Sequence, residues 1–314
     1  MTTLQQTAST PPRTSTNPPR TGNRLGRRRA LFGFALSVPA FILLGVFFIW
    51  PFLRTIYMSL NNWPLLGTPH FIGFGNYIEA FQDDQFLHAV GFTFLYTIVI
   101  TPILIALAFG LAFLVRRRTR AARVFQTVYF LPVVIGLAAG SYIWQFMWQS
   151  DIGPTTTLLG NLGLVDPKTN FFAEFGSAFV IVLGMVTWKV VGLQMLLVLS
   201  GMQAIPEEVN EAARIDGASG WQTFWHITVP LLRPTLALVL VFSVAGSLLA
   251  FDQFYIMTVG GPSGSTLTAV YEIYRAGFVQ FRVGYASALS ILLMIVLGLV
   301  SAGQMLLLRN SDNS

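Results

Sequence analysis

Six long runs of apolar residues are the feature that most restricts how this chain can fold. Each run has about 20 residues or more, the length that a helix needs to cross the hydrocarbon core of a bilayer. The chain is 54% hydrophobic and only 10% charged, whereas soluble domains carry roughly 25% charged residues. The sequence therefore predicts an all-α integral membrane protein with six transmembrane helices. The predicted spans are Ala30–Leu53, Ala89–Val115, Val124–Ser150, Phe175–Ile205, Thr235–Val259 and Val283–Leu308.

The sequence around these runs predicts the domain organisation. Residues 1–29 are rich in Thr, Pro and Arg, a composition that cannot bury a core and predicts a disordered basic tail. Residues 30–309 form one six-helix membrane domain, and residues 310–314 form a short second tail. The first run exceeds the core of about 7–15 residues that is typical of signal peptides, so we expect it to stay in the mature protein.

Basic residues flank the runs unevenly and predict the orientation of the chain. They concentrate in residues 13–29 and 116–123 and recur at Arg214, Arg233 and Arg309. The opposite connections carry Arg54, Lys168, Arg275 and Arg282. Because basic residues accumulate on the cytoplasmic side of a membrane, both termini and the segment 205–234 are predicted to be cytoplasmic.

The polar segment 205–234 separates two of the apolar runs and reads as two short helices with a sharp break. Pro206 suits a first helical turn, and Gly217 can adopt the left-handed conformation that ends a helix. Ser219 with Gln222 three residues later predicts a capping box for the second helix. Pro230 and Pro234 are expected to end that helix before the next run.

The same segment resembles the EAA loop of the membrane subunits of ABC importers that are served by solute-binding proteins. Val229 stands where that motif usually has Leu. Further similarities, including Gly75-Asn76-Tyr77 and Gly260-Gly261-Pro262, extend over residues 30–309 and are closest to carbohydrate permeases of the maltose, glycerol-3-phosphate and oligosaccharide type. The residues that match the loop, which in that family couples the permease to its ATPase, are Glu211, Ala212, Ala213, Asp216, Gly217, Ile227 and Pro230.

The resemblance implies a type I importer fold, a place in the bacterial cytoplasmic membrane, and a non-catalytic subunit. Its implied partners are a second permease chain in a heterodimer, a pair of ATPase subunits that hold ATP and Mg, and an extracytoplasmic solute-binding protein that delivers a sugar or polyol. This chain would bind no cofactor itself. Neither of its two lysines, Lys168 and Lys189, closes a phosphate-binding Gly-rich loop.

Charged residues inside the apolar runs are the candidates for a substrate pathway, because such groups are costly in a membrane unless they face a cavity or a partner. Lys189 interrupts the fourth run and Asp252 interrupts the fifth, where Tyr255 follows. The resemblance maps the sugar pathway onto Val190, Leu193, Ser243, Ser247 and Asp252. An interfacial role for Asp252, and a role in snorkelling or subunit pairing for Lys189, remain alternatives.

Other function classes have less support in the sequence. The chain has no cysteine and three scattered histidines, so we expect no metal site, and the position of its basic residues predicts orientation rather than nucleic-acid binding. A secondary transporter driven by an ion gradient would need more intramembrane carboxylates than Asp252 alone. A membrane-embedded enzyme would need a carboxylate pair or metal cluster at the membrane face. Which sugar or polyol is carried stays open.

Overall fold

The structure is a computed structural model that describes residues 23–64, 67–116 and 119–310. By their internal contacts they divide into two units, one ending at Arg54 and one beginning at Thr55. Most of the predicted tail, residues 1–22, lies outside the described residues, as do residues 311–314. The first helix already begins at Asn23, inside the stretch that was assigned to the tail.

The described chain is almost entirely helical. Its first half contains α1 (Asn23–Leu44), a π-helical turn (Gly45–Ile49), α2 (Trp50–Ser59), β1 (Asn61–Asn62), β2 (His70–Phe71), α3 (Gly75–Ala80), α4 (Asp84–Val115), α5 (Arg120–Val134), α6 (Leu137–Met147) and α7 (Pro154–Asn161). The second half contains α8 (Phe175–Ala204), α9 (Glu207–Ile215), α10 (Gly220–Thr223), a π turn (Phe224–Thr228), α11 (Val229–Leu231), α12 (Arg233–Leu248), a π turn (Phe254–Thr258), α13 (Ala269–Tyr274), a π turn (Arg275–Val279) and α14 (Val283–Asn310). The two short strands pair antiparallel and are the one departure from the all-α prediction in the described residues.

Four stretches within the described residues are long and apolar enough to cross a membrane as continuous helices. They are Leu36–Ser59, Asp84–Val115, Phe175–Ala204 and Val283–Leu306. Two further stretches qualify only as bent pairs, α5 with α6 at 99° and Gly220–Leu231 with α12 at 67°. The described chain thus has four to six spans, and the six-span prediction is met only if each bent pair is one span.

The predicted fifth span, Thr235–Val259, is not one helix. The α12 helix ends at Leu248, and Ala250 and Phe251 are non-helical before a short segment restarts at Asp252. The Thr268 hydroxyl donates a 2.8 Å hydrogen bond to the Ala250 carbonyl. Because a buried carbonyl without a partner is costly, this distant hydroxyl stabilises the break. No helix-ending residue in the local sequence predicts it.

The third predicted span is interrupted in a similar way. The α5 helix ends at Val134, and α6 starts after a sharp bend at Ile135 and Gly136. Lys189 on α8 donates a 2.8 Å hydrogen bond to the Val133 carbonyl, one of the carbonyls that a helix end leaves without an internal partner. An intramembrane cation therefore holds the end of α5.

Helices α4, α8, α5 and α12 pack against one another and form the core of the second unit. One hydrophobic cluster joins Phe92, Tyr96 and Ile100 of α4 to Met185 of α8 and to Phe254. The α5–α8 contact is close at Gly192, where an added Cβ would overlap the Tyr129 carbonyl. A glycine at this point lets the two helix backbones approach each other directly.

Charged and aromatic groups hold the connections at one end of the bundle. The Nη2 group of Arg282 donates 2.6 Å hydrogen bonds to both carboxylate oxygens of Glu79, and Tyr285 donates a 2.7 Å bond to Asp83. Glu272 on α13 is 1% exposed and pairs with Arg275 at 3.1 Å. Burial raises the pKa of the Glu272 carboxyl, although the neighbouring arginine opposes the shift.

Candidate functional site

The break after α12 opens onto a cavity of about 260 Å³. Helices α4, α8 and α12 contribute its walls, and the non-helical residues after α12 contribute its rim. Its lining comprises Tyr96, Ile100, Leu104, Leu137, Val186, Val190, Phe242, Ser243, Gly246, Ser247, Leu249, Ala250, Phe251, Asp252 and Gln253. The cavity is slightly smaller than the roughly 300–1,000 Å³ that is usual for ligand pockets, and like them it is mainly apolar with a few polar groups.

Polar side chains in and next to this cavity are linked to one another across helices. Gln194 on α8 donates a 2.8 Å bond to the Ser243 hydroxyl, which itself donates to the Val239 carbonyl at 2.7 Å. Gln253 donates to the Tyr96 hydroxyl at 3.5 Å. The Oε1 atoms of Gln194 and Gln253 are buried and accept no hydrogen bond from the described residues. Gln253 lines the cavity, whereas Gln194 bonds to the lining residue Ser243 without lining it itself. The acceptors within the lining are therefore the Gln253 amide oxygen and the serine hydroxyls, which suit a ligand that carries hydroxyl donors.

Four of the predicted pathway residues meet at this cavity, namely Val190, Ser243, Ser247 and Asp252. Ser243 and Ser247 are buried, and Asp252 is half-buried at the rim. Asp252 can line the same cavity as the two serines because the helix breaks just before it and the chain changes direction there. No lysine or arginine is among the described residues that line the cavity.

The other three predicted pathway residues lie elsewhere. Lys189 bonds to the end of α5, and Leu193 is 44% exposed on α8. Tyr255 stands outside the lining and stacks on Phe251, with ring centres 5.1 Å apart. The lining thus includes an aromatic ring that Tyr255 holds in place.

Sequence reasoning missed Tyr96 and the bonding role of Gln194. Tyr96 is 1% exposed and falls at the i+4 spacing between Phe92 and Ile100, which places these three residues on one face of α4. Gln194 is an amide within a long, mainly apolar helix, and its polarity at that position was the signal that the sequence offered. Its partner Ser243 is 49 residues away, so no local pattern could identify the pair.

The coupling segment, residues 205–234, forms the two helices that the sequence predicts. Gly217 has a φ of 77°, and the amide of Ala218 donates to the Ala213 carbonyl at 2.9 Å while that of Gly217 donates to the Arg214 carbonyl at 3.1 Å. This is the Schellman arrangement of a helix end. Ser219 and Gln222 form the predicted capping box. The predicted stop at Pro230 and Pro234 is also seen, since the stretch Gly220–Leu231 ends one residue after Pro230 and the next helix begins after a 67° bend with Pro234 in its first turn.

Exposure divides the predicted coupling residues into two groups. Glu211, Ala212, Asp216 and Gly217 are exposed. Ala213 is buried, and Ile227 and Pro230 are half-buried and follow the capped turn. Two large apolar side chains, Ile215 and Trp221, are 86% and 71% exposed.

Aromatic contacts fix the coupling segment to the end of α4. The Phe224 ring lies edge-on to Phe109 and Phe113, with ring centres 5.2 and 6.0 Å apart. Trp221 stacks on the same ring at 6.0 Å. Aromatic pairs in such geometries contribute about 0.5–1.5 kcal/mol beyond the area that they bury, so the segment is anchored to one of the helices that line the cavity.

A protein-family model, described as "Binding-protein-dependent transport system inner membrane component", matches residues 103–310. The chain belongs to this family. The matched region contains the coupling segment and most of the cavity walls, whereas the lining residues Tyr96 and Ile100 precede it. The resemblance seen in the sequence is confirmed.

Curated members of this family align with nearly the whole chain. The multiple sugar-binding transport system permease protein MsmF of Streptococcus mutans is 31% identical over 89% of this chain and 96% of its own length. The sn-glycerol-3-phosphate transport system permease protein UgpA of Agrobacterium fabrum is 31% identical over 86% of this chain and 92% of its own.

The family fold is also seen in solved structures. A chain of a bacterial ABC transporter involved in the import of the acidic polysaccharide alginate superposes with a TM-score of 0.80, covering 92% of this chain and 99% of its own at 22% identity. A chain from the alginate transporter in complex with a periplasmic protein bound to an alginate pentasaccharide superposes with a TM-score of 0.79 at 21% identity, covering 89% of this chain and 94% of its own. At these identities the agreement establishes the fold alone.

Proposed function

We propose that this chain is a permease subunit of an ATP-driven importer and moves a neutral sugar or polyol across the cytoplasmic membrane. The observation that carries the proposal is the cavity beside Asp252, together with the coupling segment that is anchored to the same helix, α4. The serine hydroxyls and the unpaired amide oxygen of Gln253 suit a polyhydroxylated ligand, and the apolar wall suits the C–H faces of a sugar ring.

The charge of the cavity favours a neutral substrate over a phosphorylated one. Asp252 lines it, and no basic side chain of the described residues does. A phosphate dianion would meet a like charge in a site partly removed from water, where such repulsion is stronger than in solvent. Of the two substrate classes named for the relatives, sugars therefore fit this cavity better than sn-glycerol 3-phosphate.

Energy would come from partner ATPase subunits that bind ATP and Mg, since the chain has no phosphate-binding loop of its own. The exposed Ile215 and Trp221 give the coupling segment an apolar docking surface for them. A second permease chain, with this one in a heterodimer, would complete the path, and an extracytoplasmic binding protein would deliver the sugar. Both termini would be cytoplasmic, and six spans would alternate between inward and outward opening.

The partners are tested by purifying the chain from its native membrane in a mild detergent and identifying the proteins that accompany it. We expect a P-loop ATPase, a second six-helix permease and a solute-binding protein. Recovery of the chain alone, together with uptake that an ionophore abolishes, would contradict ATP coupling and favour an ion-gradient mechanism through Asp252.

The role of the cavity is tested by uptake into proteoliposomes that contain the whole complex. Radiolabelled maltose, maltotriose and sn-glycerol 3-phosphate serve as probes, with each variant compared to wild type. Asp252→Asn and Ser247→Ala should lower sugar uptake while the subunits still assemble. Asp84→Asn, which changes an exposed carboxylate outside the cavity, should not. Preferred uptake of the phosphate ester by the wild type would refute the charge argument and leave the permease assignment intact.

A further inference from the structure

A second cavity, of about 230 Å³, lies between the end of α4 and the coupling segment. It shares no lining residue with the cavity beside Asp252. The side chains that matter for its chemistry are Phe113, Arg116, Arg214, Thr223, Phe224 and Thr228. The proposed transport function does not use this cavity.

The cavity concentrates positive charge without a counter-charge. Arg116 and Arg214 both line it, and no Asp or Glu does so in the described part of the chain. The Arg116 guanidinium lies 3.9 Å from the centre of the Phe113 ring, and neither arginine forms an ion pair with a described residue. Two guanidinium groups that face one space match the geometry of a phosphate, to which each can donate two hydrogen bonds.

The surroundings of the cavity are those of a membrane surface. The α4 span ends at Val115, directly before Arg116, and Leu114 is 69% exposed. Trp225 on the adjoining segment is 49% exposed, and tryptophan is enriched at the level of lipid headgroups. A soluble phosphate would gain nothing from this apolar border, whereas the acyl chains of a lipid would cover it.

We propose that Arg116 and Arg214 bind the phosphate of an anionic phospholipid of the inner leaflet. Basic residues directly after a transmembrane helix are typical of such sites, and Arg116 directly follows the α4 span. The bound lipid would touch both α4 and the coupling segment. Its headgroup charge would therefore influence how firmly the segment is held against the end of α4.

The test measures lipid retention by native mass spectrometry on the full chain, or on its complex, purified from nanodiscs. The nanodiscs contain equal parts of phosphatidylcholine and phosphatidylglycerol. Each basic residue near an anionic surface contributes about fivefold in affinity, so Arg116→Gln with Arg214→Gln should reduce phosphatidylglycerol retention about thirtyfold. The matched control is Arg120→Gln with Arg123→Gln, which removes the same charge outside the cavity. The charge-retaining Arg116→Lys with Arg214→Lys should lose less binding than the glutamine pair, because it keeps the charge but not the paired hydrogen bonds, and its folding is checked by circular dichroism.

Three results would overturn the proposal. One is equal retention of the two lipids by the wild-type chain. Another is an equal loss in the cavity variant and the control, because this would mean that the whole basic surface attracts lipid. The third is full displacement of the lipid by millimolar inorganic phosphate, which would identify a site for a soluble anion. All three readouts are independent of transport activity.

Discussion

Replacing Gly217 tests whether the backbone conformation of the coupling segment matters, separately from its side-chain contacts. Its φ of 77° places it in the region where an L-residue is strained. A Cβ built on it would meet no atom within 4 Å. The expected effect of Gly217→Ala therefore comes from the backbone alone, without a steric clash.

The magnitude follows from the cost of the left-handed conformation, which is roughly 1–2 kcal/mol for a residue with a side chain. A change of that size shifts a conformational equilibrium by a factor of about 5–30. If coupling requires the capped turn, Gly217→Ala should lower ATP-dependent uptake by up to that factor. Gly217→Asn should lose less, because asparagine tolerates this conformation better than alanine does.

The assay is ATP-driven sugar uptake and sugar-stimulated ATP hydrolysis by the reconstituted complex. Gly220→Ala is the matched control: it lies in the same segment, its Cβ would also meet no atom, and its φ is not positive. If both alanine variants transport equally well, the turn conformation is not needed for coupling. Equal losses in the two would likewise refute the argument, since the control carries no backbone strain.

Three further predictions concern stability. Gly192→Ala should cost about 1–3 kcal/mol through overpacking against the α5 carbonyl, which would appear as a lower Tm in detergent. Gly110→Ala is the control and should leave Tm unchanged, because its Cβ would meet no atom within 4 Å. Lys189→Met should cost up to about 1–3 kcal/mol by leaving the partly buried Val133 carbonyl unpaired. Lys168→Met, on an exposed connection, should leave Tm unchanged. Because the folded-state pKa of Glu272 lies above its unfolded value, its contribution favours folding at low pH and is lost as the pH rises through the folded-state pKa. Glu272→Gln should therefore reduce the difference in Tm between about pH 4.5 and pH 7, and an unchanged difference would contradict that assignment.

The coupling segment could be predicted closely because its signals are local. A capping box and a left-handed glycine act between residues three or four apart, and Ser219, Gln222 and Gly217 behave as the sequence indicates. The prolines act locally as well. The helical stretch ends at Leu231, directly after Pro230, and Pro234 lies in the first turn of α12, where proline is favoured.

The breaks in the apolar runs could not be predicted because their stabilising partners are distant in sequence. The carbonyl of Ala250 is satisfied by Thr268, and that of Val133 by Lys189. Composition gave no hint of the first break, because Leu249, Ala250 and Phe251 are as apolar as the helix before them. The same break moves Asp252 out of a continuous helix and onto the cavity rim.

The uninterrupted length of α4 has a mechanical consequence. Tyr96 at the cavity and Phe113 at the coupling segment are 17 positions apart on this one helix, which at 1.5 Å per residue separates them by about 25 Å. If α4 moved as a rigid helix that pivots near Tyr96, a tilt of about 5° would displace Phe113 by roughly 2 Å. Pro102 lies between these two residues. Because proline supplies no backbone N–H, the helix would bend at this position first. The stiffness of the helix at that proline would then set how much of a displacement at one end arrives at the other.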